Sequence, residues 1–264
     1  MTDVVRTRVW TLIAIGAAAG LVGGGLGVGG GIVLVPLLLF IGFHQHRSHA
    51  TSLAAIVLIA SAGAVSFGLS GETALGLGIT IGLGGVVGSI LGASTMHRMG
   101  SRALSIVFGV VLLAASLRMI FGANPLPGAN EFEGPMQVAI ALVIGLVAGF
   151  FAGVAGIGGG VVIVPATIFF LGLAQHEAQG TALVAIVLTA LAGTAVNLRN
   201  GRVRLQDGLV VGAGGAIGAI VGSQLALGVE GRTLSLVFGF LVLFVATRTL
   251  FRAFRSEPQP VIAD

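Results

Sequence analysis

The sequence predicts an all-α polytopic membrane protein made of two homologous repeats, each with four to five transmembrane segments. The first reason is composition: 56% of the 264 residues are hydrophobic and only 8% are charged, with a mean hydropathy of +1.09. Soluble domains carry about 25% charged residues because their surfaces face water. The other two reasons are an internal duplication and a series of apolar spans.

The duplication covers almost the whole chain. The segment "GLVGGGLGVGGGIVLVP", Gly20 to Pro36, matches "GFFAGVAGIGGGVVIVP", Gly149 to Pro165, at an offset of 129 residues. After one inserted residue the offset is 130, so that "AIVLIASAG" matches "AIVLTALAG" and "RALSIVFG" matches "RTLSLVFG". A register held over this length indicates duplication rather than shared composition.

Ten apolar spans follow one another along the chain. A helix that crosses a bilayer needs about 20 residues, and the first two spans of each repeat are shorter and separated by glycines. We therefore expect a glycine-broken short helix pair to open each repeat. The predicted spans are 9–25, 31–43, 50–70, 74–97 and 102–122 in the first repeat, and 136–152, 160–173, 178–198, 205–228 and 232–251 in the second.

The number of crossings decides how the repeats are related. If each glycine-split pair crosses twice, each repeat has five crossings and the repeats are inverted. Eleven arginines then share one side, leaving Arg118 and Arg232 on the other. If each pair crosses once, the repeats are parallel and the arginines divide nine to four. The positive-inside rule favours inversion, with both termini in the cytoplasm in either case.

These spans divide the chain into four parts. The sequence around "GANPLPGANEFEGP" is rich in Pro, Gly and acidic residues and is expected to lie outside the cell. The predicted parts are the first repeat at 1–122, an extracytoplasmic linker at 123–135, the second repeat at 136–256 and a cytoplasmic tail at 257–264.

The glycine-rich stretch "GGGLGVGGGIVLVP" contains the string G-x-G-x-x-G at Gly25, Gly27 and Gly30. A dinucleotide site needs a preceding strand and an acidic residue about 20 positions on. Here the flanks are membrane spans, and no Asp or Glu occurs between Asp3 and Glu72. A phosphate-binding P-loop is excluded as well because the chain has no lysine.

A different interpretation suits a helix that begins at membrane depth. Irregular backbone at that depth is tolerated where it lines a cavity or is buried in protein. The free N–H groups and positive dipole of such a helix start suit an anion. Transporters with duplicated halves bind substrate between broken helices. The predicted substrate contacts are therefore Gly29, Gly30, Gly31, Gly158, Gly159 and Gly160.

Close helix packing is the alternative role for glycine. It is favoured where glycines recur every four residues, as at Gly84-Gly88-Gly92 and Gly214-Gly218-Gly222. The glycines at the two breaks are consecutive, which favours a functional role for them.

Polar candidates follow each glycine break. Hydroxyl, amide and imidazole groups can all donate to an anion, and histidine also titrates near neutral pH. An interfacial position is the alternative for the histidines. The candidates are Gln45, His46, Thr51, Gln175, His176 and Thr181, with Asn197 and Arg199 at the end of a later span.

Several function classes are excluded or unsupported. The thirteen basic residues are all arginines in short clusters without interleaved aromatics, so no nucleic acid partner is expected. Neither repeat carries a nucleophile–base constellation, so no enzymatic activity is predicted. No metal site and no cofactor are predicted, since no Cys or acidic residue supports the histidines.

On these residues the chain resembles the TauE/SafE family of sulfite-exporter-like permeases. The resemblance rests on "GGGLGVGGGIVLVP" and "GVAGIGGGVVIVP", each followed by a Gln-His turn and a Thr-bearing span. It implies transport of sulfite, sulfonates or related organosulfur anions across the bacterial inner membrane. The second copy departs from the first at Val154 and Ala155, where Gly25 and Leu26 stand, so unequal half-sites are expected.

The predicted function is that of a secondary transporter moving a small anion by alternating access. An anion channel and a non-transporting membrane subunit are the alternatives. The expected partners are the small anionic substrate and the lipid bilayer, and the sequence leaves a homo-oligomer open.

Overall fold

The computed structural model describes residues 2–95, 101–122, 134–155, 158–199 and 205–255. The described residues form ten helices and no strand. In chain order they are α1 (Thr2–Gly25), α2 (Gly31–Phe40), α3 (Gln45–Leu69), α4 (Leu75–Thr95), α5 (Ser101–Phe121), α6 (Pro135–Ala155), α7 (Gly160–Leu171), α8 (Gln175–Arg199), α9 (Leu205–Leu227) and α10 (Gly231–Arg255).

The predicted glycine breaks are confirmed between α1 and α2 and between α6 and α7. Only the second helix of each pair is short, because α1 has 24 residues and α6 has 21. Each short helix is preceded by a glycine in the left-handed region, Gly30 with φ 81° and Gly159 with φ 82°. Side chains disfavour that region, which explains glycine at both positions. With 10 and 12 residues at about 1.5 Å per residue, α2 and α7 reach only about half of the roughly 30 Å hydrocarbon core.

Helices α3 and α8 establish how the repeats are related. They occupy equivalent places in the two repeats, and they run antiparallel. A Cβ carbon placed on Gly63 would lie 2.9 Å from Leu183, and one on Gly193 would lie 3.1 Å from Leu53. Numbering therefore rises along α3 as it falls along α8, so the repeats are inverted, as the arginine distribution favoured.

Helices exchange partners between the repeats. The first helix of each repeat packs against the fourth helix of the other: Gly20 of α1 is in close contact with Gly215 of α9, and Gly88 of α4 with Leu146 of α6. Glycine lets the backbones approach because it has no side chain. The packing role predicted for the glycines spaced by four is confirmed.

Two arginines tie helix ends together. The guanidinium of Arg232 donates to the carbonyls of Met119, Ile120 and Gly122 at 2.9–3.1 Å, satisfying the C-terminal end of α5. Arg47 at the start of α3 forms an ion pair of 2.8 Å with Asp207 at the start of α9. The N-termini of α3 and α9 therefore lie at the same end of the bundle.

The outside of the bundle is apolar, and the core lies along α3 and α8. Exposed side chains include Leu83, Val143, Phe240 and Phe244, as expected for a surface in contact with lipid. Among the described residues, six helices are long and apolar enough to cross a membrane, and four further apolar helices are shorter.

Candidate functional site

The two glycine breaks meet at the centre of the molecule, between α3 and α8. A Cβ carbon on Gly160 would lie 2.6 Å from the Cα of Val28, so the second break contacts the first directly. A Cβ on Gly29 would lie 3.0 Å from Ile186 and 3.2 Å from Ile56. All six predicted glycines are buried. The sequence therefore identified segments that share one position in the fold.

Two helices begin at this centre. The carbonyl of Gly30 accepts from the amides of Val33 and Leu34, and that of Gly159 accepts from the amides of Val162 and Ile163, at 2.9–3.1 Å. The first amides of a helix have no acceptor within their own helix, so each start concentrates N–H groups and positive dipole. In this conformation the side chains of Ile56 and Ile186 fill the space beside the glycines.

The polar candidates lie in two separate places. Thr51 and Thr181 each precede the central isoleucine of their helix by five residues. Because α3 and α8 are antiparallel, the two threonines lie on opposite sides of the centre. The contacts of Gly63 and Gly193 across the two helices set a register that separates them by about 14 residues, or roughly 20 Å at 1.5 Å per residue. The structure thus separates the first-repeat candidates from the second-repeat candidates.

The α3 cluster consists of Thr51 and Ser52, which are both fully buried. Neither hydroxyl oxygen has a hydrogen-bond partner within the described part of the chain. A buried hydroxyl without a partner costs free energy, and such groups call for an explanation such as a ligand or water. Ser52 was not predicted as a site residue because its counterpart in the other repeat is Ala182.

The α8 cluster consists of Gln175 and Gln179, which lie four residues apart on one helix face. Their side chains are 5% and 0% exposed, and neither amide has a hydrogen-bond partner among the described residues. Gln179 packs over the first glycine break, since a Cβ on Gly27 would lie 2.7 Å from its Cβ. Gln179 was not among the predicted site residues, although its spacing from Gln175 was a usable signal.

Other predicted site residues make local contacts in this conformation. The hydroxyl of Thr181 accepts from the amide of Ala74 at 3.0 Å, at the start of α4. His176 Nε2 lies 3.1 Å from the carbonyls of Ala226 and Val229. Asn197 donates to the carbonyl of Gly193 at 2.8 Å, and Arg199 is exposed at the end of α8. Thr181 and His176 thus contact the ends of neighbouring helices, Asn197 contacts its own helix, and Arg199 lies at the end of α8.

The Gln-His pairs belong to helices rather than to turns. Gln45 and His46 form the first turn of α3, and Gln175 and His176 form the first turn of α8. The predicted spans began at residues 50 and 178, which left both pairs in front of them. Gln45 is exposed, and the side chain of His46 lies outside the described part of the structure.

Fold and site together define a polytopic helical membrane protein with inverted repeats and buried polar clusters on either side of a central helix break. The sequence model of the family described as "Sulfite exporter TauE/SafE" matches residues 12–144 and 140–263. The chain belongs to this family of membrane transporters.

Curated relatives agree with the family assignment. A "Probable membrane transporter protein" of Xylella fastidiosa (strain Temecula1 / ATCC 700964) is 30% identical over 92% of this chain and 93% of its own length. "Probable membrane transporter protein YunE" of Bacillus subtilis (strain 168) is 23% identical over 93% of this chain and 98% of its own. No solved structure matches the chain significantly.

Proposed function

We propose that the protein is a secondary transporter that moves a small anion across the membrane by alternating access. One observation carries the proposal. Buried hydrogen-bonding groups that have no partner among the described residues lie on both sides of an apolar centre, Thr51 and Ser52 on one side and Gln175 and Gln179 on the other. Such an arrangement suits a substrate that loses its hydrating water and accepts hydrogen bonds first from one cluster and then from the other.

The chemistry of the clusters supports an anionic substrate. Hydroxyl and amide groups donate hydrogen bonds to oxygen atoms without adding a fixed charge. Thr51 lies in the second turn of α3, and the glutamines lie in the first two turns of α8, where the helix dipole is positive. Glu177 lies two residues from each glutamine and so faces away from their side. The family description supports sulfite or a related organosulfur anion.

Inversion of the repeats supports alternating access. A two-fold pseudo-symmetric transporter can exchange the conformations of its two halves, which opens the same central site to either side. The elements expected to move are α2 and α7, which begin at left-handed glycines and span only half the bilayer. The arginine distribution favours cytoplasmic termini, and the bacterial inner membrane is the proposed location.

Flux through proteoliposomes tests this function. Purified protein is reconstituted, and uptake of ³⁵S-sulfite, taurine and sulfoacetate is measured with and without unlabelled substrate inside. A transporter gives saturable uptake that internal substrate accelerates. Flux that is insensitive to internal substrate indicates a channel, and absence of flux for all three compounds overturns the proposed substrate class.

A further inference from the structure

An apolar groove opens on the outside of the bundle between α5, α6 and α7. Its volume is about 560 Å³, and apolar side chains alone line it. Met136, Val143 and Phe170 at its rim are each more than half exposed. The volume falls within the roughly 300–1,000 Å³ of ligand pockets, but the lining offers no polar group to a small anion. The groove therefore suits a hydrocarbon chain.

Three alanines leave room for the groove, one on each helix. They are Ala115 of α5, Ala139 of α6 and Ala166 of α7. At the equivalent positions of the other repeat the chain has larger residues, which are Val245, Trp10 and Leu37. These larger side chains would fill the corresponding space between the equivalent helices. The groove is therefore not expected to be repeated there.

A positive charge marks one end of the groove. Arg118 follows Ala115 by three residues, so it lies one helical turn further along the same face of α5. Its guanidinium carbon lies 4.7 Å from the ring centroid of Phe169, which lines the groove. Arg118 is exposed, and no carboxylate of the described chain forms an ion pair with it. Arginine at a membrane surface attracts anionic lipid headgroups.

We propose that this groove binds one acyl chain of an anionic glycerophospholipid, whose phosphate lies on Arg118. The apolar lining takes the chain, and the guanidinium takes the phosphate. On the proposed topology the lipid belongs to the outer leaflet, since Arg118 lies on the side opposite to most arginines. The bound chain packs against Val162 and Pro165 of α7 and so supports the short helix that begins at the glycine break.

Fluorescence quenching tests the site without reference to transport. The chain has one tryptophan, so the variant Trp10→Phe with Phe170→Trp places the only indole in the groove. Phosphatidylglycerol with brominated acyl chains is expected to quench it more strongly than brominated phosphatidylcholine. The expected preference is about fivefold, because one arginine near a membrane surface contributes about 1 kcal/mol towards anionic lipid. Equal quenching by both lipids indicates ordinary boundary lipid and overturns the proposal.

Matched variants in the same background separate charge from shape. Arg118→Gln should abolish the preference, whereas Arg248→Gln, at the equivalent position of the other repeat, should leave it unchanged. Ala166→Leu should reduce quenching by both lipids, whereas Ala213→Leu on the exposed face of α9 should not. A preference that survives Arg118→Gln contradicts the headgroup assignment. Quenching that survives Ala166→Leu contradicts the chain assignment.

Inorganic phosphate serves as the competing anion. If millimolar phosphate removes the preference for phosphatidylglycerol, Arg118 binds free phosphate and the lipid proposal fails. The proposed lipid site requires the preference to persist at constant ionic strength. Failure of this proposal leaves the transport proposal intact, since no flux is measured.

Discussion

Ile56 of α3 and Ile186 of α8 meet over the same glycine at the centre of the molecule. A Cβ carbon on Gly29 would lie 3.2 Å from Cγ2 of Ile56 and 3.0 Å from Cγ2 of Ile186. The two isoleucines occupy equivalent positions of the inverted repeats and are both fully buried. On the proposed mechanism they form the apolar barrier between the α3 cluster and the α8 cluster.

Shortening this barrier should let substrate leak. We expect Ile56→Ala or Ile186→Ala to raise anion flux that does not depend on internal substrate, because each removes side-chain volume between the clusters. Each change should also cost about 2–5 kcal/mol of stability. Proteoliposome efflux measures the leak. Ile81→Ala is the control, since Ile81 of α4 is fully buried and its backbone contacts Gly145 of α6; an equal leak in that variant would assign the effect to general destabilisation.

The contact between the two breaks should tolerate no side chain on Gly160. Its Cβ would lie 2.6 Å from the backbone of Val28, so Gly160→Ala must displace one break from the other. Overpacking of this kind costs about 1–3 kcal/mol, and we expect lower thermal stability with impaired counterflow. In Gly68→Ala the new methyl meets nothing within 4 Å, so that variant should retain both properties. Normal counterflow in Gly160→Ala would show that the contact between the breaks is dispensable.

Removing the amide of Gln179 should separate function from stability. The amide is buried and has no hydrogen-bond partner in the described parts of the chain, so Gln179→Leu should leave thermal stability unchanged or raise it. A hydrogen bond to a charged partner contributes about 1.5–3 kcal/mol, which predicts a loss of substrate affinity of about 10- to 150-fold. Saturation of ³⁵S-sulfite uptake measures that loss.

Gln224→Leu is the matched control for Gln179. Its amide donates to the hydroxyl of Ser66 at 2.8 Å, so the variant should lose about 1 kcal/mol of stability and keep its affinity. Unchanged uptake in Gln179→Leu would remove the α8 cluster from the proposed site.

Inversion predicts the side from which equivalent residues react. Leu75 and Leu205 begin α4 and α9, are 60% and 43% exposed, and stand at equivalent positions of the two repeats. In a chain without native cysteine, we expect Leu205→Cys to react with a membrane-impermeant maleimide from the cytoplasmic side and Leu75→Cys from the opposite side. Labelling of both from one side would contradict the inverted arrangement in the membrane.

The residue pattern predicted the helix breaks well because the physical signal is local. Consecutive glycines before "IVLVP" and "VVIVP" indicate a backbone that no ordinary helix adopts, and Gly30 and Gly159 have the left-handed φ angles to match. The predicted second-repeat helix at 178–198 began three residues late, because Gln175 and His176 are polar and sequence hydropathy ends a span at such residues. Sequence hydropathy does not show that neighbouring helices bury these polar residues inside a helix.

The arrangement of the polar groups could not be predicted from the repeat alone. Alignment matched Thr51 with Thr181, yet the hydroxyl of Thr51 has no partner where the structure describes the chain, and that of Thr181 accepts from the amide of Ala74. Gln179 aligns with His49, so the duplication gave no reason to single it out. Partner assignment depends on which helix packs beside each position, and that packing differs between the two halves.

By itself, the sequence determined that this is a membrane protein, that it is duplicated, and where its helices break, since composition, repetition and glycine runs act through the local chain. The tertiary structure decided that α3 and α8 run antiparallel, that the two breaks touch, and that the polar candidates form two clusters separated by Ile56 and Ile186. Those features depend on contacts between residues about 130 positions apart, where packing of backbone against backbone determines which groups meet.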